Sequence, residues 1–402
     1  MLDNLVNEVE ESIKDKFKEI DKIAYKNSEK VLNAFHKEKV QASDFNGTTG
    51  YGYGDVGRDK IERIYADVFN AEKALVRTQF ISGTHALTVA FFGLLRPGDT
   101  LLSIAGLPYD TLHKVIGIVP NDSSLQSFGI NYKYIDLKDN DFDYESIKNN
   151  LDGVKVVHIQ RSIGYSSRET LSIEKIEKVI KYIKEINKEI IIYVDNCYCE
   201  LCSLKEPTDV GADIVVGSLI KNLGAGIANN GAYIVGKEKL VELCAERLTS
   251  PGLGSEVGSS LNQNRLFIEG LYLAPMVVAN ALKVKLLTCV LCKRLGYRVI
   301  NSNLDDIVLG IVFNSPNKLI KYVKAIQSGS AIDAHFEPVP TDMPGYDDKI
   351  IMASGSFTDG SSIELSCDAP IREPYIAYQQ GSLTYEYGRI GVVNALKALS
   401  EE

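Results

Sequence analysis

IIIYVD (residues 190–195) and DIVVGSLIKNLGAGIANNGAYIVG (residues 213–236) decide the fold. The first is an apolar run that ends on an acid, Asp195. The second opens as another such run, passes through Ser218 to Lys221, and closes on a third run after a glycine-rich bend. Short runs this apolar belong to strands buried on both faces, as in a parallel sheet covered by helices. Working outward, TLLSI and VKVVHIQ repeat the pattern, with helical stretches such as SIEKIEKVIKYIKEI between the runs. From about Ala74 to residue 236 this alternation predicts an α/β large domain with a mostly parallel central sheet. A long helical region over about 262–294 follows. The strand DIVLGIVF, the helix KLIKYVKAIQ and strands near KIIMAS and SSIELS then make a smaller α+β unit. Apolar positions at Leu5, Val9, Ile13, Phe17, Ile20 and Ile23 recur near a 3.6-residue period, so residues 4–37 read as an amphipathic helix. The expected organisation is an N-terminal helical arm over 1–45, a large domain over 46–285 and a small domain over 286–402.

Of the 402 residues, 45% are hydrophobic and 24% charged, which excludes a disordered, collagen-like or disulfide-scaffold chain. The net charge of −9 comes with scattered basic residues, so neither nucleic acid nor an anionic membrane is an expected partner. The start lacks a basic segment followed by an apolar one, and no later apolar run reaches the ~18 residues of a membrane span. A soluble, cytoplasmic protein is expected, with its seven cysteines as thiols. Cys197, Cys199 and Cys202 form C-x-C-x-x-C and Cys289 and Cys292 a distant C-x-x-C. Neither pairing makes the two tight knuckles of a zinc site, so no metal is expected.

In an open parallel sheet, ligands bind outside the carboxyl ends of the strands. Asp195 and Lys221 fall there, and could meet one ligand: the acid pairing with a cationic ring nitrogen, the lysine forming a Schiff base. Ser82, Gly83 and Thr84 precede the helical run HALTVAFFGLL, and backbone N–H groups at a helix N-terminus cradle phosphate. Singly, these are a surface lysine, a strand-end acid and an ordinary helix cap. Together, a phosphate cradle, then an aspartate, then a lysine 26 positions later (221 − 195) is the chain order of a pyridoxal 5'-phosphate enzyme of the aspartate-aminotransferase fold. Two rival motifs fail. Gly52, Gly54 and Gly57 spell G-x-G-x-x-G with no strand before them, and Ser218 and Lys221 spell S-x-x-K without the companion motifs S-D-N and K-T-G. The five glycines from Gly47 to Gly57 place backbone close to a ligand or an interface.

The stretches GYGYGDVGRDKIERIYADVF, RTQFISGTHAL, GLPYDTL, IQRSIGYSSR, VDNCYCE, GSLIKNLGAGIANNGAYIVG, PVPTDMPGYDDKIIMASGSF and SIELSCDAPIREPY resemble the pyridoxal-phosphate family known as methionine gamma-lyase-like, or aluminium-resistance, proteins. The resemblance runs from about residue 40 to 395. That family is similar to the cystathionine beta- and gamma-lyases, whose active sites combine residues of two subunits within a homotetramer.

The resemblance implies that Lys221 holds the cofactor and moves the α-proton, while Asp195 keeps the pyridine nitrogen protonated. Gly83, Thr84 and Ser218 would bind phosphate and Tyr109 would cover the cofactor face. Tyr51, Tyr53 and Arg58 resemble the segment that lyases extend into the neighbouring subunit to reach the cofactor's phosphate and the substrate, which implies a cofactor-binding role for them. The lyases' Y-x-R is YGYGDVGR here, which leaves open which tyrosine matches and whether Arg58 replaces their arginine. Glu364 stands where lyases carry the arginine for the substrate carboxylate. Arg372 in APIREPY is therefore preferred for that task, since a guanidinium fork matches a carboxylate, with Arg161 as the alternative. Tyr165 is a further candidate contact to cofactor or substrate.

The activity implied is carbon–sulfur lyase chemistry on a sulfur amino acid. The same cofactor also supports aminotransferase and aldolase chemistry, and a non-catalytic binding protein could retain the fold. Aluminium handling by the cysteine cluster is disfavoured, because Al³⁺ is hard and thiolates are soft.

Overall fold

The apolar runs around Asp195 and Lys221 lie side by side in a seven-stranded sheet. The computed structural model describes residues 2–353 and 365–400. The strands are β1 (Lys73–Arg77), β2 (Thr100–Ser103), β3 (Asn131–Tyr134), β4 (Val154–Gln160), β5 (Ile191–Asp195), β6 (Ile214–Ser218) and β7 (Ala232–Gly236), in the order β1-β7-β6-β5-β4-β2-β3. The five strands from β6 to β3 are parallel, and β7 runs antiparallel to both its neighbours. The sheet is thus mostly parallel, as its sequence runs imply.

Side chains alternate faces along a strand, and here both faces are dry. Ile192, Val194 and Val215 pack into one core, while Tyr193, Ile214 and Val216 pack into another beneath the helix Gly83–Leu94. Each such side chain, fully buried, contributes roughly 1.5–3 kcal/mol. The same alternation sends Gln160, Asp195 and Ser218 to the face that carries the helix Gly83–Leu94. The register puts Gln160 opposite Asp195 and Asp195 opposite Val216, two residues before Ser218.

A second, wholly antiparallel sheet holds β8 (Arg298–Ile300), β9 (Leu309–Val312), β10 (Ile350–Ala353), β11 (Leu365–Pro370) and β12 (Ile376–Gly381), ordered β10-β11-β12-β9-β8. Most of the expected strand SSIELS, including Glu364, lies outside the described residues.

Two long helices join the halves. Asn264–Arg294 is long and apolar enough to cross a membrane, yet most of it is buried in this fold. Its residues up to Leu282 pack into the core beside the large sheet, and from Val284 onward into that of the small one. The position taken as a domain border, 285, therefore falls inside a continuous helix. The N-terminal helix Leu2–Lys37 does the same, with Val6, Val9 and Ile13 in the small core and Ile20, Val31 and Ala34 in the large one.

Candidate active site

The carboxyl ends of β4, β5 and β6 open into a cavity of about 580 Å³, whose lining includes Gly83, Thr84, Tyr109, Asp195, Ser218 and Lys221. Ser82 also borders it. Residues singled out in separate parts of the sequence therefore line one cavity.

One end suits a phosphate. The helix Gly83–Leu94 starts here, and the first-turn N–H groups of a helix lack intrahelical partners. Ser82 caps that helix by accepting the His85 N–H at 3.0 Å, and Thr84 Oγ1 pairs with Thr111 Oγ1 at 2.8 Å. Ser218 Oγ is buried and has no hydrogen-bond partner among the described residues. A hydroxyl kept dry and unpaired costs free energy unless a ligand satisfies it. A Cβ at Gly83 would stand 3.2 Å from Ser218 Cβ, so glycine is what lets helix and strand end close on the same point. Helix dipole, backbone N–H groups and an unpaired hydroxyl form an anion cradle.

At the strand ends, burial raises the carboxyl of Asp195 above its usual range, and Lys221 together with the Cys197 N–H, 3.1 Å from Oδ1, only partly offset this. Burial acts against the ammonium of Lys221, but Cys197, Tyr198, Asp195 and Glu200 outweigh it and hold the lysine above its ordinary value. Burial also drives the Cys197 thiol well up, which keeps it neutral beside Lys221. Glu200 is itself pushed up to about 8 by burial, with one oxygen accepting the Tyr233 hydroxyl at 2.9 Å.

Three tyrosines, Tyr109, Tyr198 and Tyr346, also line the cavity, while Tyr165 is outside the lining and packs against Tyr109. Tyr109 is fixed by its N–H, which donates to Gln160 Oε1 at 2.7 Å, and its ring centre lies 5.2 Å from that of Tyr165. The Tyr165 hydroxyl donates to Asp368, which burial lifts to about 6. Met343 and Tyr346 close the cavity from a loop of the small unit. Sequence reasoning assigned no role to Tyr198, Tyr346, Gln160 or Asp368. Tyr346 was within reach, since it sits in the quoted motif PVPTDMPGYDDKIIMASGSF.

The arginines divide. Arg161 does not reach the cavity. Its guanidinium is fully buried, with Nη1 donating to Asn196 Oδ1 at 2.7 Å and Nε to the Leu171 carbonyl at 3.3 Å. That removes it from the candidates for the substrate carboxylate. Arg372 lies just outside the tyrosine wall, paired with Asp348 at 2.9 Å and Asp110 at 3.3 Å. Arg58 is buried, with Nη1 donating to the carbonyls of Gly52 and Gly258 at 2.8 and 2.9 Å, so it braces the glycine-rich loop rather than lining its own chain's cavity. Tyr51 and Tyr53 are 69% and 63% exposed and stack on one another, away from that cavity.

All seven cysteines are buried free thiols, and among the described residues no group of three or more His, Cys, Asp or Glu side chains is arranged to hold a metal ion.

A parallel-sheet cavity with an anion cradle, a buried aspartate and a half-buried lysine defines the class of pyridoxal-phosphate-dependent proteins of the aspartate-aminotransferase fold. Comparison with known proteins narrows this. The family model described as methionine gamma-lyase matches residues 2–400, and the chain belongs to that family. It is 45% identical, over 100% of its own length and 97% of the relative's, to the protein YnbB of Bacillus subtilis, whose description assigns no activity. A Listeria monocytogenes crystal structure, proposed in its description to be a cystathionine beta-lyase involved in aluminum resistance, superposes with a TM-score of 0.95 at 45% identity, covering 99% of this chain and 100% of that one. The pyridoxal-5'-phosphate-dependent protein YhfS of Escherichia coli shares the fold at 15% identity, with a TM-score of 0.64 over 95% of this chain and 97% of that one. Family and fold together imply pyridoxal 5'-phosphate as the cofactor, and the cradle at Gly83 and Ser218 fits its phosphate.

Proposed function

We propose that this chain is a pyridoxal-phosphate-dependent carbon–sulfur lyase acting on a sulfur amino acid of the cystathionine or methionine kind. The observation that carries the reading is the meeting of Lys221, Asp195 and the unpaired Ser218 hydroxyl on one cavity wall. Family membership and the description of the Listeria relative support the choice of bond. When bound, the cofactor supplies an electron sink for the charge left at the substrate's α-carbon.

The chain's own groups do the rest. The Gly83 and Thr84 N–H groups and Ser218 Oγ bind phosphate, and Asp195 holds a proton on the ring nitrogen. Lys221 Nζ anchors the cofactor and, once released, takes the α-proton. The Tyr109 ring covers the cofactor face and helps exclude water. Arg372 takes the substrate carboxylate by exchanging it for Asp348 or Asp110, the acids its guanidinium now holds.

The reading extends to assembly and location: a cytoplasmic homotetramer with no nucleic-acid or membrane partner, in which Tyr51 and Tyr53 face a neighbouring subunit's cavity. Among the described residues no arginine lines the cavity, and the two exposed tyrosines stack where a partner could meet them. The test is incubation of the purified, cofactor-loaded protein with cystathionine, methionine and cysteine. Release of a thiol with pyruvate or 2-oxobutyrate supports the reading. Amino-group transfer or aldehyde release without thiol would replace it with aminotransferase or aldolase chemistry.

A further inference from the structure

Eliminating a thiol needs two proton movements: one off the α-carbon and one onto the sulfur. With Lys221 as the base for the first, a separate carrier at the sulfur would let the second proceed without waiting for the lysine to change sides. The Tyr109 hydroxyl lies 2.8 Å from that of Tyr346, and the two rings meet edge to face at 5.9 Å. Both residues line the cavity that holds Lys221.

Tyr346 is firmly placed. Its loop is closed at the base by paired hydrogen bonds between Thr341 and Ile350, at 2.9 and 3.0 Å. Asp348 ties the same loop to Arg372 at 2.9 Å, and the Tyr346 N–H donates to the Met343 carbonyl at 3.2 Å.

The two phenols differ in environment. Burial, with Tyr346 and Asp368 adding to it, drives the Tyr109 phenol well above its usual value, whereas burial pushes Tyr346 only up to about 12. A phenolate left on Tyr109 would be costly, and a partner able to refill it at once lowers that cost.

We propose that Tyr346 is the second phenol of a proton relay. As the carbon–sulfur bond breaks with its electron pair going to sulfur, Tyr109 gives its hydroxyl proton to the sulfur and Tyr346 gives its own to Tyr109. Water at the cavity mouth then returns a proton to Tyr346, and the α-proton taken by Lys221 leaves to solvent, so the proton count closes. Tyr346 acts through Tyr109 and is a positioning residue. This deepens the lyase reading and rests on it.

The experiment compares Tyr346→Phe with the wild type as cofactor-loaded protein. It follows three rates: exchange of the substrate α-hydrogen with D₂O, thiol release from the best sulfur substrate, and chloride release from β-chloroalanine, which needs no proton on the leaving group. Thiol release is expected to fall about a hundredfold, with α-hydrogen exchange and chloride release within about twofold. An independent readout is the ¹³C resonance of the Tyr109 ring in protein carrying ¹³C-tyrosine, before substrate is added, which should shift in the variant as the hydroxyl contact is lost.

A parallel fall in all three rates, unchanged thiol release, or an unmoved Tyr109 resonance would overturn the relay. Failure of the lyase reading is a separate result, because there the wild type itself releases no thiol.

Discussion

The Nζ atom of Lys221 lies 3.9 Å from the centre of the Tyr198 ring, and Tyr198 holds a left-handed backbone conformation at φ 70°. For a residue with a large side chain that conformation costs on the order of 1–3 kcal/mol, an expense that persists where surrounding structure needs it. Here it turns the ring under the lysine, three residues after Asp195.

Lys221 is expected to be the cofactor's covalent anchor. The purified protein should show a visible band that borohydride abolishes, with the cofactor's mass then fixed to the peptide containing Lys221. Lys221→Ala should give no such adduct. A wild type that stays colourless after incubation with pyridoxal phosphate would exclude the anchor.

Ser218→Ala should weaken cofactor binding about tenfold, corresponding to one lost hydrogen bond of roughly 1.4 kcal/mol to a charged group. Absorbance titration of cofactor-free protein measures it. Gly83→Ala should cost at least as much, because the added methyl would crowd Ser218 Cβ at 3.2 Å.

Arg372 and Arg161 should separate cleanly. Arg372→Gln is expected to raise KM for the amino acid about tenfold or more while leaving the cofactor spectrum unchanged, since the guanidinium lies outside the cofactor's cavity walls. Arg161→Met leaves the buried Asn196 oxygen and Leu171 carbonyl without their donor. It should lower unfolding stability by about 1–3 kcal/mol in denaturant melts, with KM little changed in the protein that folds.

Asp55 anchors the loop that carries Tyr51 and Tyr53. Burial pushes its carboxyl up, but hydrogen bonds from Ser260, Thr48, the Arg58 N–H and Asn264 more than offset this and hold it at about 2. A carboxyl depressed in the folded state adds stability that is complete above its unfolded value near 4 and fades as pH falls through about 2. Asp55→Ala should therefore cost about 2 kcal/mol at pH 7, and the gap to wild type should narrow in melts below about pH 4. A gap that stays constant down to pH 2 would contradict the assignment.

Much of the site was legible because it sits where apolar runs end. Asp195 and Ser218 close strands whose composition already marks them as buried, and the glycine next to Ser82 announces a helix start. Arg161 lies outside the cavity lining, which no pattern in the sequence announces. Gln160 and Ser162 border the cavity while Arg161, just past the end of β4, is held by Asn196 and the Leu171 carbonyl instead. The Tyr109–Tyr346 contact spans 237 positions, and Arg372 meets Asp110 across a similar gap; no local pattern encodes such pairings. The edge strand β3, the short β8 and β12 (IAYQQG) also lack the long apolar runs that mark the strands around Asp195 and Ser218.

The helix Leu2–Lys37 stitches two cores that later segments of the chain build. Its first turns wait on strands that begin past residue 300, and its last turns on a helix and sheet completed far earlier. During synthesis this segment leaves the ribosome well ahead of the last third of the protein, and can bury its leading apolar face only when that third has emerged. Until then Val6, Val9 and Ile13 lack the core that covers them in the folded chain, and apolar surface left open in this way favours aggregation.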